Sequence, residues 1–353
     1  MARLLITGGA GFIGSHTCVV LLQAGHNLLV LDDFSNSTPL ALERVSALAQ
    51  LDTQSCQARL EVRRGDIRDP TCLDDLFAQA ASAGAPIDAV IHFAGLKAVG
   101  ESVREPLRYW DVNLCGSRAL FAAMDKHNCK TLVFSSTSTV YGEPTEFPLV
   151  ETMATNPIHP YAQSKLAVEQ LLNALAATCL WRIANLRYFN PVGAHPSGQI
   201  GEDPLGIPNN LFPFITQIAA GRLSSLSVFG DDYCTPDGTG IRDYLHVMDL
   251  AEAHAHALEH LFDAPPATAL TLNLGTGQGL SVLEMVHGFE QATGIAIPYS
   301  ICERRPGDVP RLECSPKQAE KTLGWRARRS LADICRDGWA WQAANPAGYE
   351  DPG

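Results

Sequence analysis

Leu4-Leu5-Ile6-Thr7-Gly8-Gly9-Ala10-Gly11-Phe12-Ile13-Gly14 decides the fold of this chain. A short apolar run enters a turn of glycines. An apolar-periodic segment from Phe12 to Leu22 follows and stops at Gly25, as a helix does. Gly9-x-Gly11-x-x-Gly14 therefore falls at a strand-to-helix turn. Missing side chains there permit a tight turn and let a pyrophosphate reach the helix N-terminus. A second strand, Asn27 to Leu31, ends at Asp32, about 20 residues beyond the glycines and placed to accept the hydroxyls of an adenine ribose. A carboxylate at that point repels a 2′-phosphate, so NAD is the expected cofactor rather than NADP.

Outward from this turn the same rhythm repeats. Leu60 to Arg64 reads as a third strand, ending at Gly65-Asp66-Ile67, and Asp88 to Phe93 as a fourth, ending at Ala94-Gly95. Pro106 to His127 reads as a long helix and Thr131 to Ser135 as the fifth strand. Pro160 suits the first turn of another helix, running to about Ala177, and Arg182 to Leu186 is a sixth strand leading into Arg187-Tyr188-Phe189-Asn190. Alternating strands and helices imply an α/β fold: a Rossmann-type doubly wound parallel sheet with a smaller mixed α/β C-terminal domain. Residues 190–210 are rich in Pro, Gly and Asn, which suggests a long functional loop. The expected division is a cofactor domain over 1–189 and a substrate domain over 190–353, with elements interleaved. Ligands of such sheets sit beyond the C-terminal strand ends, and six of these ends carry Gly8 to Gly14, Asp32, Asp66, Ala94-Gly95, Ser135 to Thr137 and Phe189-Asn190.

Composition narrows the function class. The formal charge of −12 over 353 residues argues against nucleic acid or an anionic membrane as partner. An acidic protein that binds an anionic ligand must gather its arginines locally. Ten scattered cysteines with no Cys-x-x-Cys read as reduced thiols, neither a disulfide framework nor a zinc site. No signal-peptide pattern opens the chain, and no stretch approaches the ~18 apolar residues of a membrane span. A cytoplasmic setting is expected.

A second motif supplies the chemistry. In Tyr161-Ala162-Gln163-Ser164-Lys165 the tyrosine and lysine are four apart on an expected helix and share a face. A free phenol, with a pKa near 10, is a poor base at neutral pH. A neighbouring ammonium and a positive nicotinamide ring both favour the phenolate and are expected to lower that pKa. The hydroxyls of Ser135-Ser136-Thr137-Ser138-Thr139 close the fifth strand, and one of them can bond the reacting oxygen. Together the two motifs indicate redox chemistry on a hydroxyl.

The chain resembles the extended short-chain dehydrogenase/reductases, and within them the enzymes that epimerise UDP-hexoses. The likeness runs through His92-Phe93-Ala94-Gly95-Leu96-Lys97-Ala98-Val99-Gly100-Glu101-Ser102 and Arg187-Tyr188-Phe189-Asn190-Pro191-Val192-Gly193-Ala194-His195-Pro196. Gly201-Glu202-Asp203-Pro204, Pro208-Asn209-Asn210 and Gly240-Ile241-Arg242-Asp243-Tyr244-Leu245-His246-Val247 extend it. The resemblance implies reversible inversion at C4 of UDP-glucose and UDP-galactose through a 4-keto sugar, with NAD held between turnovers. It implies Tyr161 as base, Thr137 as its hydroxyl partner and Lys165 as the group that tunes both. Gly8, Gly11, Phe12, Ile13, Gly14, Asp32, Asn36, Ser37, Asp66, Ile67, Phe93, Ala94, Gly95, Lys97, Asn113 and Phe189 would line the NAD site with Tyr161 and Lys165. Asn190, Asn210, Leu211, Ser227, Phe229, Arg242, Arg305 and Asp308, with Lys97, Thr137 and Tyr161, would hold the UDP-sugar. The two arginines suit a diphosphate because the guanidinium fork matches its oxygens. The family also implies a homodimer, formed through the helices near 106–127 and 160–177.

Two readings compete with this one. A sugar-nucleotide 4,6-dehydratase also oxidises C4, but related dehydratases carry Asp-Glu after the threonine, where this chain has Ser138-Thr139. A catalytically dead NAD sensor would typically lose the Tyr/Lys pair. Leu312 stands where some relatives have tyrosine, and the resemblance implies that this wall governs entry of N-acetylated sugars, so some activity on UDP-N-acetylhexosamines is expected beside UDP-glucose and UDP-galactose. His254, His256 and His260 lie close together and read as a polar helix face, with no metal required.

Overall fold

The computed structural model describes residues 1–50, 59–204, 206, 208, 210–305 and 308–349. Its strands in chain order are β1 (Arg3–Thr7), β2 (Asn27–Asp32), β3 (Leu60–Arg64), β4 (Ala89–His92), β5 (Thr131–Ser135), β6 (Arg182–Tyr188), β7 (Asn190–Val192), β8 (Leu226–Phe229), β9 (Ile241–His246), β10 (Thr268–Leu274), β11 (Gly279–Ser281), β12 (Tyr299–Cys302) and β13 (Arg311–Leu312). Seven of them form the central sheet, in the order β10-β6-β5-β4-β1-β2-β3. Every pairing in it is parallel.

Successive side chains of a strand face opposite ways, and here both faces are covered. Leu4, Ile6, Leu28 and Val30 pack on one side, with the helices Phe12–Gln23 and Val247–Asp263. Leu5, Leu29, Leu31, Val90 and Leu132 pack on the other, against Leu73, Phe77, Leu120 and Leu172. That is why the strands read as continuous apolar runs instead of alternating ones. A separate core, including Val192, Phe212, Ile215, Tyr244, Phe289 and Ile334, holds the C-terminal strands and helices. Beyond residue 189 the chain both builds this second core and returns to the first sheet through Val247–Asp263 and β10.

The helix expected over 106–127 is less regular than its pattern suggests. Pro106–Tyr109 is α-helical, Trp110–Gly116 is a π segment, and Ser117–Lys126 is α-helical again. The wide turn carries Asn113, which is buried and grips the backbone of Leu96 through its amide, accepting at 2.8 Å and donating at 3.1 Å. In the segment expected as loop over 190–210, residues 190–192 form β7, paired in parallel with β9 at Asn190↔Tyr244. Its partner is more than fifty residues away, so no local pattern reports it.

Candidate active site

The strand order of the sheet reverses between β1 and β4, which opens the crevice where ligands of open α/β sheets sit. Gly8 follows β1 with φ +70°, and a Cβ on it would lie 2.7 Å from the backbone nitrogen of Ala94. That nitrogen and the one of Phe93 both donate to Thr7 O, at 3.1 and 3.0 Å, so the Ala94-Gly95 loop is pinned beside the glycine turn. A Cβ on Gly14 would collide with the Gly8 carbonyl. Gly11 is the N-cap of the Phe12–Gln23 helix, with no capping side chain and no acid in the first turn. Uncapped amides at a helix N-terminus behind a side-chain-free turn fit an anionic pyrophosphate.

Asp32 closes β2 beside this cradle. Its carboxylate accepts Ala10 N at 2.9 Å, Phe34 N at 3.0 Å and Ser37 Oγ at 2.8 Å, which ties the turn to the loop bearing Asn36. Asp66, after β3, is held by Arg68 in an ion pair at 2.6 Å, and that guanidinium's hydrogen bond keeps it below the ordinary carboxylate range. Ile67 is buried under Gly116 of the π segment. Asn113 spends its amide on Leu96 and on Ser164 Oγ (3.0 Å), so it shapes the Gly95 loop from behind. Lys97 reaches across to Glu202 at 2.9 Å, and that carboxylate raises its pKa.

The hydroxyl end of β5 faces the helix Pro160–Cys179. Tyr161 is 7% exposed and lies beside Thr137, whose hydroxyl favours its phenolate. Lys165 donates to Ser135 O at 3.0 Å, with its Nζ 4.8 Å from the centre of the Phe134 ring. His159 caps the helix by accepting Ala162 N at 3.2 Å and stacks parallel to Tyr161 at 5.9 Å. The lowered phenol pKa expected above is not produced by the protein's own groups. Burial pushes Tyr161 up, Tyr188 adds to that, and only the Thr137 hydrogen bond pulls down. Lys165 is lowered to about 8 by burial, opposed by Glu169. Its ammonium is spent on a carbonyl, a bond the four-residue spacing does not foretell.

The second group of expected residues gathers around β9. Arg242 gives one guanidinium nitrogen to Ile241 O at 2.8 Å; burial lowers its pKa, and Arg305 nearby works in the same direction. Arg305 lies over the Phe229 ring at 4.7 Å and pairs with Asp308 at 2.9 Å. Ser227 and Phe229 share the exposed side of β8. Asn190 begins β7, Asn210 is the N-cap of the Leu211–Ala219 helix without a capping bond, and Leu211 is half-buried on its first turn. Leu312 is paired with Arg242 and packs against the cluster that contains Phe189 and Leu149. The chain thus brings two guanidiniums near each other, one of them over the Phe229 ring and the other paired with Leu312.

Two features escaped the sequence reading. His254 is fully buried instead of lining a polar face: its Nδ1 bonds Leu250 O at 2.8 Å and its ring packs on Phe93 at 4.7 Å. The helix stripe looked polar because imidazole counts as polar, whatever covers it. Glu169 and Arg187 form a buried ion pair at 2.6 Å behind Ser136. The only signal for it was Glu169 standing one further turn beyond Lys165.

The family model described as GDP-mannose 4,6 dehydratase matches residues 5–338. The UDP-glucose 4-epimerase of Bacillus subtilis (strain 168) is 51% identical over 348 residues, covering 98% of both chains. A crystal structure of UDP-glucose-4-epimerase from Stenotrophomonas maltophila, with bound NAD and formylated UDP-arabinopyranose, is 48% identical with TM-score 0.92, over 98% of this chain and 99% of that one. The Bifidobacterium longum enzyme in complex with NAD+ and UDP is 45% identical with TM-score 0.90, over 98% and 100%. With a likeness of that extent joined to this crevice, the chain belongs to the extended short-chain dehydrogenase/reductase family that holds the UDP-glucose 4-epimerases.

Proposed function

We propose that this chain interconverts UDP-glucose and UDP-galactose by inverting C4 with tightly held NAD. The observation that carries the reading is the Tyr161–Thr137 pair, with Lys165 behind it, at the end of β5 on the crevice that holds the uncapped glycine turn. NAD, when bound, accepts the C4 hydride and gives it back. The cradle of Gly8, Gly11 and Gly14 with Phe12 and Ile13 takes the pyrophosphate, and Asp32 the adenine ribose. Asn36, Ser37, Asp66 and Ile67 flank the adenosine half, while Phe93, Ala94, Gly95 and Phe189 flank the nicotinamide half.

Tyr161 removes the C4 hydroxyl proton, and Thr137 holds that oxygen. A phenol raised by burial is a poor base until positive charge arrives, so deprotonation is coupled to the charged cofactor and to Lys165. The 4-keto sugar turns over while its nucleotide stays anchored. Arg242 and Arg305 hold the diphosphate, Phe229 packs on the base, and Asn190, Asn210, Leu211, Ser227 and Asp308 complete the grip. In this division of labour the parallel sheet holds the cofactor and the C-terminal sheets the UDP-sugar. Elimination of water, the dehydratase outcome, lacks its carboxylates, because Ser138 and Thr139 follow Thr137.

A homodimer suits the helices Val99–Arg104 and Pro106–Tyr109, which leave Val103 61% and Leu107 83% exposed beside the Pro160–Cys179 helix. Among the described residues no helix is long and apolar enough to cross a membrane. The described cysteines are free thiols, which supports a cytoplasmic setting. The test is incubation of purified protein with UDP-galactose. Expected are UDP-glucose at equilibrium and no accumulation of free reduced cofactor. A 4-keto-6-deoxy product would instead establish a dehydratase.

A further inference from the structure

We propose that Ser136 and Glu169 are positioning residues, which set the register of the Pro160–Cys179 helix against the end of β5 and thereby aim Tyr161 and Lys165. The inference rests on the epimerase reading above. Tyr161, Lys165 and Glu169 are spaced by four and lie on one helix face. Two of them bond the strand end, Lys165 Nζ donating to Ser135 O at 3.0 Å and Glu169 Oε1 accepting from Ser136 Oγ at 2.5 Å, and Tyr161 lies buried beside Thr137. Two successive helical turns are thus bonded, as rungs, to two successive residues at the end of β5.

The Glu169 rung is the one farthest from the crevice and the most firmly backed. Its carboxylate is 1% exposed and is gripped by Arg187, whose Nε donates at 3.0 and 3.2 Å and whose Nη2 donates at 2.6 Å. Arg187 Nη1 donates to Tyr141 Oη at 3.0 Å, and Tyr141 Oη donates to Asn273 Oδ1 at 2.8 Å. Arg187 belongs to β6 and Asn273 to β10, so the anchor is the sheet itself. Ser136 N also donates to Leu186 O at 2.9 Å, fixing the residue between Ser135 and Thr137 from its backbone side. A helix displaced or rotated by one residue would lose both rungs together and carry Tyr161 away from Thr137. Buried charge-assisted bonds suit this duty, because they are strong and tolerant of only one geometry.

Ser136→Ala removes the rung and leaves the Glu169–Arg187 pair whole. In the NAD-loaded enzyme its kcat for UDP-galactose should fall about tenfold, a modest share of what a 1 Å misplacement can cost. KM and NAD content should stay within about twofold, and Ser136→Thr, which keeps the hydroxyl, should restore most of the rate. Should Ser136→Ala fail to fold, Glu169→Gln combined with Arg187→Met replaces the ion pair by neutral groups and must show the same loss in kcat at constant KM. A kcat equal to the parent's in either variant overturns the positioning role and leaves the epimerase reading standing. Parallel loss of NAD and of rate marks general damage and overturns it too. A parent that does not turn over UDP-galactose sinks the epimerase reading, and this inference with it.

Discussion

Tyr161 stands between opposing influences: burial raises its pKa, while the Thr137 hydroxyl stabilises the phenolate. Removing the hydroxyl removes the proposed base and little else, because the ring stays packed beside His159. Tyr161→Phe should therefore lose ~10²–10⁴-fold in turnover while keeping its fold and its NAD. A rate within a few-fold of the parent would assign the base elsewhere. Leu312 is the residue on which we propose that substrate breadth turns. It is half-buried against the Phe189 cluster and has no hydroxyl to offer a sugar. The parent should accept some UDP-N-acetylglucosamine, and Leu312→Tyr should shift the ratio of kcat/KM values towards UDP-galactose by ~1–3 kcal/mol. Measuring both sugars with both proteins decides it; an unchanged ratio means that Leu312 is not the gate.

At the scale of the element, the glycine turn separates two physical demands. Gly14 is required by packing, since a Cβ there meets backbone atoms of Gly8 and Gly9 that cannot move aside. Gly11 meets only the Gly8 carbonyl at 3.4 Å and has an ordinary φ of −72°, so alanine fits the fold. Gly14→Ala should lose about 1–3 kcal/mol of stability together with NAD, as overpacked sites do. Gly11→Ala should unfold like the parent yet purify with markedly less NAD, because a methyl on this side-chain-free turn would crowd a pyrophosphate approaching the helix N-terminus. Denaturing both proteins and quantifying the released nucleotide distinguishes the cases; normal NAD content in Gly11→Ala would remove the pyrophosphate from this turn. Mainly NADP in that release would overturn the assignment of Asp32.

For the whole molecule, three buried histidines make stability depend on pH. Burial lowers His16 and His92 to about 3 and His254 to about 4, from an ordinary value of 6.5. His92 bonds Thr7 at 2.6 Å and Ser117 at 2.9 Å, whereas the Nε2 atoms of His16 and His254 have no partner among the described residues. The unfolded chain therefore takes up protons below pH 6.5 that the folded chain refuses. Their contribution is complete above that pH and is lost as pH falls towards the folded values. Each site costs roughly 1.4 kcal/mol per pH unit within that window. The urea midpoint should drop clearly between about pH 7.5 and 5.5, and equal midpoints at the two values would contradict the burial of these rings.

How much of this was written in the sequence follows from the range of the forces involved. The central strands, the glycine turn, Asp32 and the Tyr161–Lys165 pair were legible because each depends on neighbours within one turn or one strand. β3 and β5 fall on the residues their apolar runs indicate, Leu60–Arg64 and Thr131–Ser135. Tertiary structure alone decided what depends on distant partners. Asn113 opens a π turn because Leu96 needs its amide, and β7 forms because β9 lies beside it. Glu169 becomes an anchor because β6 delivers Arg187 behind it, and Lys165 turns to a carbonyl because burial leaves the ammonium no water. Hydrophobic period and turn chemistry are local and survive in the chain as pattern. Desolvation and hydrogen-bond partnership arise only when segments far apart in sequence exclude water together.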